Sequence, residues 1–239
     1  MCSRIAVDLF FDVFSPYSWI GFEGLMRYQK VWPISVRLRP FYFAGIIKAT
    51  KNNGAPLMLA EKESYMDLDL KRNSTYWGVP VSLPMNFKNL VFTKSSANAQ
   101  RLLIALQKEQ PSLLEEAARL MWIRTFTHHI GVFHKEDLME IMSDLEIENP
   151  TALLELASSH DVKDALKINT SEALDMGVKR SVFFQCFGAP WIHVHTPSGK
   201  IEPFFGSDRL PLIGHLIGEP YEGPLNHLAE HHSSLTELK

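Results

Sequence analysis

Cysteine is scarce: Cys2 and Cys186 are the only two in 239 residues. Two thiols cannot build the disulfide framework of a small secreted domain, and such usage fits a reducing, intracellular setting. No apolar run reaches the roughly 18 residues needed to span a bilayer. Net basic charge is missing as well, since 24 Lys and Arg against 27 Asp and Glu leave a formal −3. A generic nucleic-acid binder needs a basic face, so that class is disfavoured. There is no repeat and no low-complexity tract. Apolar residues at 46%, charged at 21% and aromatic at 11% exclude a disordered chain, a coiled coil and a collagen-like repeat. Addresses are lacking too. Asp8 and Asp12 interrupt the apolar N-terminal stretch and no small-residue cleavage site follows, so it reads as a strand rather than a secretory signal. Nor is it Arg-rich as a transit peptide would be. Glu237-Leu238-Lys239 does not match the Ser-Lys-Leu peroxisomal type.

What is present alternates strand and helix. Ile5, Val7, Leu9, Phe11 and Val13 alternate with Ala6, Asp8, Phe10 and Asp12, a period of two that predicts a strand. Ser15 then suits an N-cap and Pro16 the first position of a helix running to about Tyr28. A second strand follows Pro33, with Val36 and Leu38 set against Arg37 and Arg39. Residues 49–58 carry the turn signals Asn53-Gly54 and Pro56 and read as a functional or connecting loop. From about 60 to 178 the spacing is helical, with breaks at Asn149-Pro150 and Ser158-Ser159. Trp191–His195 and Ile201–Phe205 read as a hairpin around Pro197-Ser198-Gly199-Lys200. Gly206-Ser207-Asp208 then opens a last helix through Ile217, with Pro211 in its first turn.

A parallel strand–helix–strand unit and a late hairpin demand one mixed sheet flanked by helices. The class is α/β. The length suits one domain carrying a large insertion: a discontinuous domain of 1–58 and 179–223, a helical insertion of 59–178 and a polar tail of 224–239.

Three places could carry chemistry. Ser15-Pro16-Tyr17-Ser18 sits at a helix N-terminus, where unpaired N–H groups stabilise anions. Thiol-handling proteins lower a thiol's pKa at this location, commonly with Cys-x-x-Cys. Here the two cysteine positions are Ser15 and Ser18, so the physical role is donation of a hydrogen bond to another molecule's thiolate. An ordinary Ser-Pro helix start reads the same way. Gly188-Ala189-Pro190 precedes an apolar strand. The default for its X–Pro bond is trans, yet a cis bond there would leave backbone groups free to pair with an extended peptide. Gly206-Ser207-Asp208 is either a plain capping pair or a clamp for a carboxylate and an ammonium.

Asp12-Val13-Phe14-Ser15-Pro16-Tyr17-Ser18-Trp19, Arg39-Pro40, Gly188-Ala189-Pro190 and Phe205-Gly206-Ser207-Asp208-Arg209 together resemble the kappa-class glutathione transferases. The similarity runs from Val7 to about Gly223. That family is similar in fold to the thioredoxin-like bacterial disulfide oxidases and includes the 2-hydroxychromene-2-carboxylate isomerases. The resemblance implies a thioredoxin-like mixed sheet split by a large helical insertion. It implies that Ser15 is catalytic and contacts the sulfur of reduced glutathione. Asn53, or its neighbour Asn52, and the backbone of Ala189 would hold the peptide, with Ser207 and Asp208 on the γ-glutamyl end. Pro16, Tyr17 and Pro190 would line the same site, and Lys62 falls at a family lysine near it. Glutathione is then a co-substrate, with no other cofactor and no metal, and the partner is a small electrophile or peroxide. A homodimer, a role in detoxification, and a mitochondrial or peroxisomal address are implied too.

The resulting expectation is a glutathione transferase. Its alternatives are a glutathione-dependent isomerase of the same family and a redox-dead, thioredoxin-like binding or chaperone module. The helical insertion is expected to supply the electrophile pocket, while Trp77, Phe87 and Trp122 read as core. Trp191 is bulky enough to narrow the site. His227-Leu-Ala-Glu230-His231 has a metalloprotease spacing but reads as a solvated tail. His193 and His195 share a strand face as a metal pair might, without evident further ligands. Cys186 reads as a buried, inert thiol.

Overall fold

Period-two alternation produces β1 (Ile5–Phe11) in a computed structural model that describes residues 4–52, 59–175 and 185–229. The strand ends at Phe11, so Val13, expected within it, lies in the turn beyond. Pro16 opens α1 (Pro16–Tyr28), with Ser15 as N-cap, its side chain accepting the Ser18 N–H. β2 (Ile34–Pro40) returns parallel to β1. The late hairpin, β3 (Trp191–His195) and β4 (Ile201–Phe205), adds antiparallel strands, giving the mixed order β2-β1-β3-β4.

Between the two halves lie α3 (Ala60–Trp77), α4 (Phe87–Thr93), α5 (Ala97–Glu109), α6 (Leu114–Phe126), α7 (Lys135–Asp144), α8 (Pro150–Ser158) and α9 (His160–Leu174). Val7, Leu9 and Phe11 turn one sheet face onto α1, whose far side meets α3 and α6. Phe22 sits 5.1 Å from Trp122, ring centre to ring centre. Because α1 is enclosed on both sides, all but its Tyr17 are buried. Trp77, Phe87 and Trp122 belong to this core, which runs without a break from the sheet into the helices. A buried ion pair, Arg119 Nε to Glu23 Oε1 at 2.7 Å, ties α6 to α1, and the Trp19 indole donates to the same oxygen. Removing one partner of such a pair would strand a buried charge.

The opposite sheet face carries a second, smaller core of Phe10, Phe41, Ile46, Ala173, Cys186, Ala189 and Trp191. Trp191 is therefore committed to packing beneath the site. Ile46 comes from α2 (Phe43–Thr50), a helix that sequence patterning did not reveal. Residues 49 and 50 complete this helix, so the loop expected over 49–58 begins only at Lys51, whose φ of 52° ends it.

The last helix also differs from expectation. α10 is Leu210–Ile217, its N-cap position is Arg209, and that cap makes no side-chain hydrogen bond. Ser207 and Asp208 lie in the turn before it. The reason is Gly206, whose φ of 104° turns the chain out of β4 in a conformation that costs a residue with a Cβ. The helix can start no earlier than just before Pro211, which must sit in its first turn.

Candidate active site

Ser15 stands where β1 hands over to α1. Its Oγ accepts the Ser18 N–H at 3.1 Å and donates to the Ala189 carbonyl at 3.3 Å. The hydroxyl thus joins the helix N-terminus to the loop before β3. Ser18, the other residue of the Cys-x-x-Cys spacing, is fully enclosed, so Ser15 is the member of the pair nearer the surface. The Ala189–Pro190 bond is cis, the isomer left open by sequence. Pro190 lies against Gly21 of α1: a Cβ there would sit 3.1 Å from Pro190 Cγ and 3.6 Å from the Cα of Ser207. The missing side chain therefore lets the loop before β3 press close to the first two turns of α1, with the β4–α10 turn in ordinary contact alongside.

Tyr17 extends the site toward α3. It lines a cleft of about 300 Å³ with Glu61, Lys62, Tyr65 and Met66. Its hydroxyl donates to Asp69 Oδ2 at 2.8 Å. Burial and that carboxylate raise the Tyr17 pKa well above its ordinary value, and the negative charge of Asp208 adds to the rise. A phenol held in this way is neither ionised nor free to donate elsewhere. Asp208 itself is exposed and pairs with Arg209 at 2.9 Å.

The structure thus gathers Ser15, Pro16, Tyr17, Lys62, Ala189, Pro190, Ser207 and Asp208 around the start of α1. Asn53 lies outside the described residues, whereas Asn52 is described and donates to the Phe187 carbonyl at 2.7 Å. Asp69 was missed by sequence reasoning. Its signal was available, because Lys62, Tyr65, Met66 and Asp69 follow the i, i+3, i+4, i+7 spacing of one helix face.

The remaining candidates are occupied elsewhere. Cys186 is fully buried, its S–H donates to the Gly188 carbonyl at 3.1 Å, and burial pushes its pKa to about 12. His193 Nε2 accepts from the Trp191 indole at 2.8 Å, and burial lowers its pKa to about 4. His195 instead meets Asp8 at 2.7 Å. Among the described residues, no group of three or more His, Cys, Asp or Glu could hold a metal ion. Glu230 and His231 of the metalloprotease spacing lie outside the described residues. No described helix is long and apolar enough to cross a membrane.

Comparison with known proteins places the fold and the family. The family described as the DSBA-like thioredoxin domain matches residues 6–218. Over 226 residues the chain is 39% identical to glutathione S-transferase kappa 2 of Caenorhabditis elegans, covering 94% of this chain and 97% of that protein. It is 36% identical over 221 residues to human glutathione S-transferase kappa 1, covering 92% and 93%. A solved structure of a 2-hydroxychromene-2-carboxylate isomerase superposes with a TM-score of 0.68 at 20% identity, covering 89% of this chain and 94% of the other, and so shares the fold. The chain belongs to the DSBA-like thioredoxin family and, within it, to the kappa-class glutathione transferases.

Proposed function

We propose that this chain is a glutathione transferase that activates the thiol of reduced glutathione at the N-terminus of α1. The observation that carries the reading is the Ser15 hydroxyl, capping α1 and lying 3.3 Å from the Ala189 carbonyl. Glutathione lies extended, its cysteine backbone beside Ala189 and its sulfur beside Ser15. A thiol with pKa near 8.5 is only about 3% thiolate at pH 7. Lowering that pKa by two units requires about 2.7 kcal/mol, within reach of one or two charge-assisted hydrogen bonds plus the helix dipole. The Ser15 hydroxyl can exchange a long bond to a carbonyl for one to a thiolate. Tyr17 cannot act in this way, because its hydroxyl already donates to Asp69.

Ser207 and Asp208 take the γ-glutamyl end, with Lys62 across the cleft and Asn53 on the peptide. The thiolate attacks an electrophilic carbon or a peroxide oxygen. The likeness to the kappa class extends the reading to a homodimer, a detoxifying role, and a mitochondrial or peroxisomal setting.

Calorimetric titration with reduced glutathione and its S-methyl derivative, alongside ultraviolet absorbance of the thiolate, tests the site. Saturable binding with a thiolate signal for glutathione alone is expected. Absence of both heat and thiolate would overturn the reading. Product mass then sorts the chemistry, because a conjugate is heavier than the electrophile and an isomer is not.

A further inference from the structure

Asp12, three residues before Ser15, is fully buried and no part of the reaction described so far uses it. Its Oδ1 accepts the Phe14 N–H at 2.9 Å. Its Oδ2 accepts the Phe43 N–H at 2.9 Å and the Ser96 hydroxyl at 2.8 Å. Its backbone carbonyl accepts the Ser15 N–H at 2.9 Å. One side chain therefore holds three separate pieces of chain. These are the turn that presents Ser15, the first residue of α2, and the N-cap of α5 at Ser96. Beyond its far end, α2 leads into the segment that carries Asn53.

A carboxylate is the side chain that suits this position. Two carboxylate oxygens offer about four acceptor sites and no donor, whereas an amide would turn an NH₂ group toward N–H or O–H donors. The arrangement is not the cheapest way to fill the space, since an ion removed from water without a counter-charge is penalised. The groups facing Asp12 are all neutral donors: Phe14 N–H on its own turn, Phe43 N–H from α2 and Ser96 Oγ from α5. Gln100 of α5 completes the frame without touching the carboxylate. Its Oε1 accepts the Val13 N–H, and its Nε2 donates to the Phe11 and Phe41 carbonyls.

We propose that Asp12 is a positioning residue whose carboxylate holds the Ser15 turn, the start of α2 and the start of α5 in one arrangement, and that loss of its charge loosens the three together. Burial, opposed only by these hydrogen bonds, raises its pKa to about 6. When Oδ2 takes a proton, the Ser96 hydroxyl can rotate and accept it. The Phe43 N–H cannot reverse and is left with a weaker acceptor. The consequence for turnover rests on the functional reading above: the acid side of the pH profile contains two ionisations, that of the bound thiol and that of Asp12.

Two measurements on the full chain test this. Amide NMR spectra between about pH 4.5 and 8 follow Phe14, Ser15 and Phe43, and need no catalysis. The three amides are expected to titrate together in the wild type and to lose that titration in Asp12→Asn. Ser96→Ala removes one donor, leaves the rest of the cluster in place and should raise the shared midpoint by about one pH unit. In turnover at saturating glutathione, the steepest acid slope of log kcat/KM for the electrophile is expected to exceed one and approach two in the wild type and to be one in Asp12→Asn, with kcat/KM at neutral pH falling by up to about a hundredfold. Amides that titrate separately, or a midpoint unmoved in Ser96→Ala, would overturn the proposal even if Asp12→Asn fails to fold. A steepest acid slope no greater than one in an active wild-type enzyme would overturn it too. Co-titrating amides in a protein that neither binds nor turns over glutathione would sustain the clamp and overturn the functional reading instead.

Discussion

The Ser15 hydroxyl and the Ala189 carbonyl lie 3.3 Å apart across 174 positions of sequence. That contact places a hydroxyl donor at a helix N-terminus, beside backbone able to pair with an extended peptide. The site is thus made where the first and last portions of the thioredoxin-like fold meet. Gly21 eases the meeting, because the cis-proline loop packs closely where its side chain would be, with the Ser207 turn in ordinary contact beside it.

Removing that hydroxyl should hurt most where the thiol most needs help. Ser15→Ala withdraws a hydrogen bond to a charged group worth about 1.5–3 kcal/mol, a loss of roughly ten- to hundredfold in kcat/KM near pH 6.5. Near pH 9 most of the thiol ionises unaided, so the loss shrinks. Losing the cap also lowers stability by about 1 kcal/mol, readable from the urea midpoint. An equal loss of turnover at both pH values would show that Ser15 does not act on the thiolate.

Gly21→Ala separates packing from chemistry. Alanine is favoured over glycine within a helix by up to about 1 kcal/mol. Here its Cβ would press on Pro190 at 3.1 Å, so the gain is offset and stability should stay within about 1 kcal/mol of wild type. The displaced Pro190 should appear as a several-fold higher KM for glutathione with a smaller change in kcat. A wild-type KM would mean that the Pro190 loop does not hold the peptide.

How much of this was legible depended on how local each signal was. The Ser15 cap, the Pro16 helix start and the hairpin follow from neighbouring residues, and each stands where its local chemistry predicts. α2 escaped notice because it has eight residues and no side-chain cap bond. Ser207 and Asp208 looked like a helix cap because Gly-Ser-Asp has capping chemistry, but the positive φ of Gly206 makes them a turn. Asp12 with Ser96, and Gln100 with Phe11, pair across 84 and 89 positions, and no spacing along the chain announces them.

Cys186 should behave as core, which separates this site from a redox pair. A thiol with pKa near 12 is ionised about three orders of magnitude less than an ordinary one at neutral pH, and the thiolate is the reacting form. In a Cys2→Ser background, native Cys186 should react with iodoacetamide at least about a hundredfold more slowly than free glutathione, and at a normal rate once unfolded in urea. Rapid reaction of the native protein would restore a thiol–disulfide role.

Acid stability should expose two buried groups working in opposite directions. His193 has a folded pKa of about 4 against an ordinary 6.5, so the unfolded chain binds the extra proton between these values and stability falls as pH drops. Asp12 has a folded pKa of about 6 against 3.8, so the folded chain binds the proton and stability rises over nearly the same window. From about pH 7 to about pH 5 the first effect costs about 2 kcal/mol and the second returns about 1 kcal/mol, so the pair cancels in part and leaves a net loss of about 1 kcal/mol. Asp8 does not enter. Burial raises its pKa, but the bonds to Arg37 and His195 outweigh that and hold it below 3.8, so its contribution is lost only in stronger acid. Chemical denaturation at the two pH values should therefore show Asp12→Asn losing more stability on acidification than wild type, and His193→Gln losing less. Other groups titrate alike in every variant and drop out of the comparison. Shifts of the same sign in both variants would mean that one of the two groups does not titrate as its burial dictates.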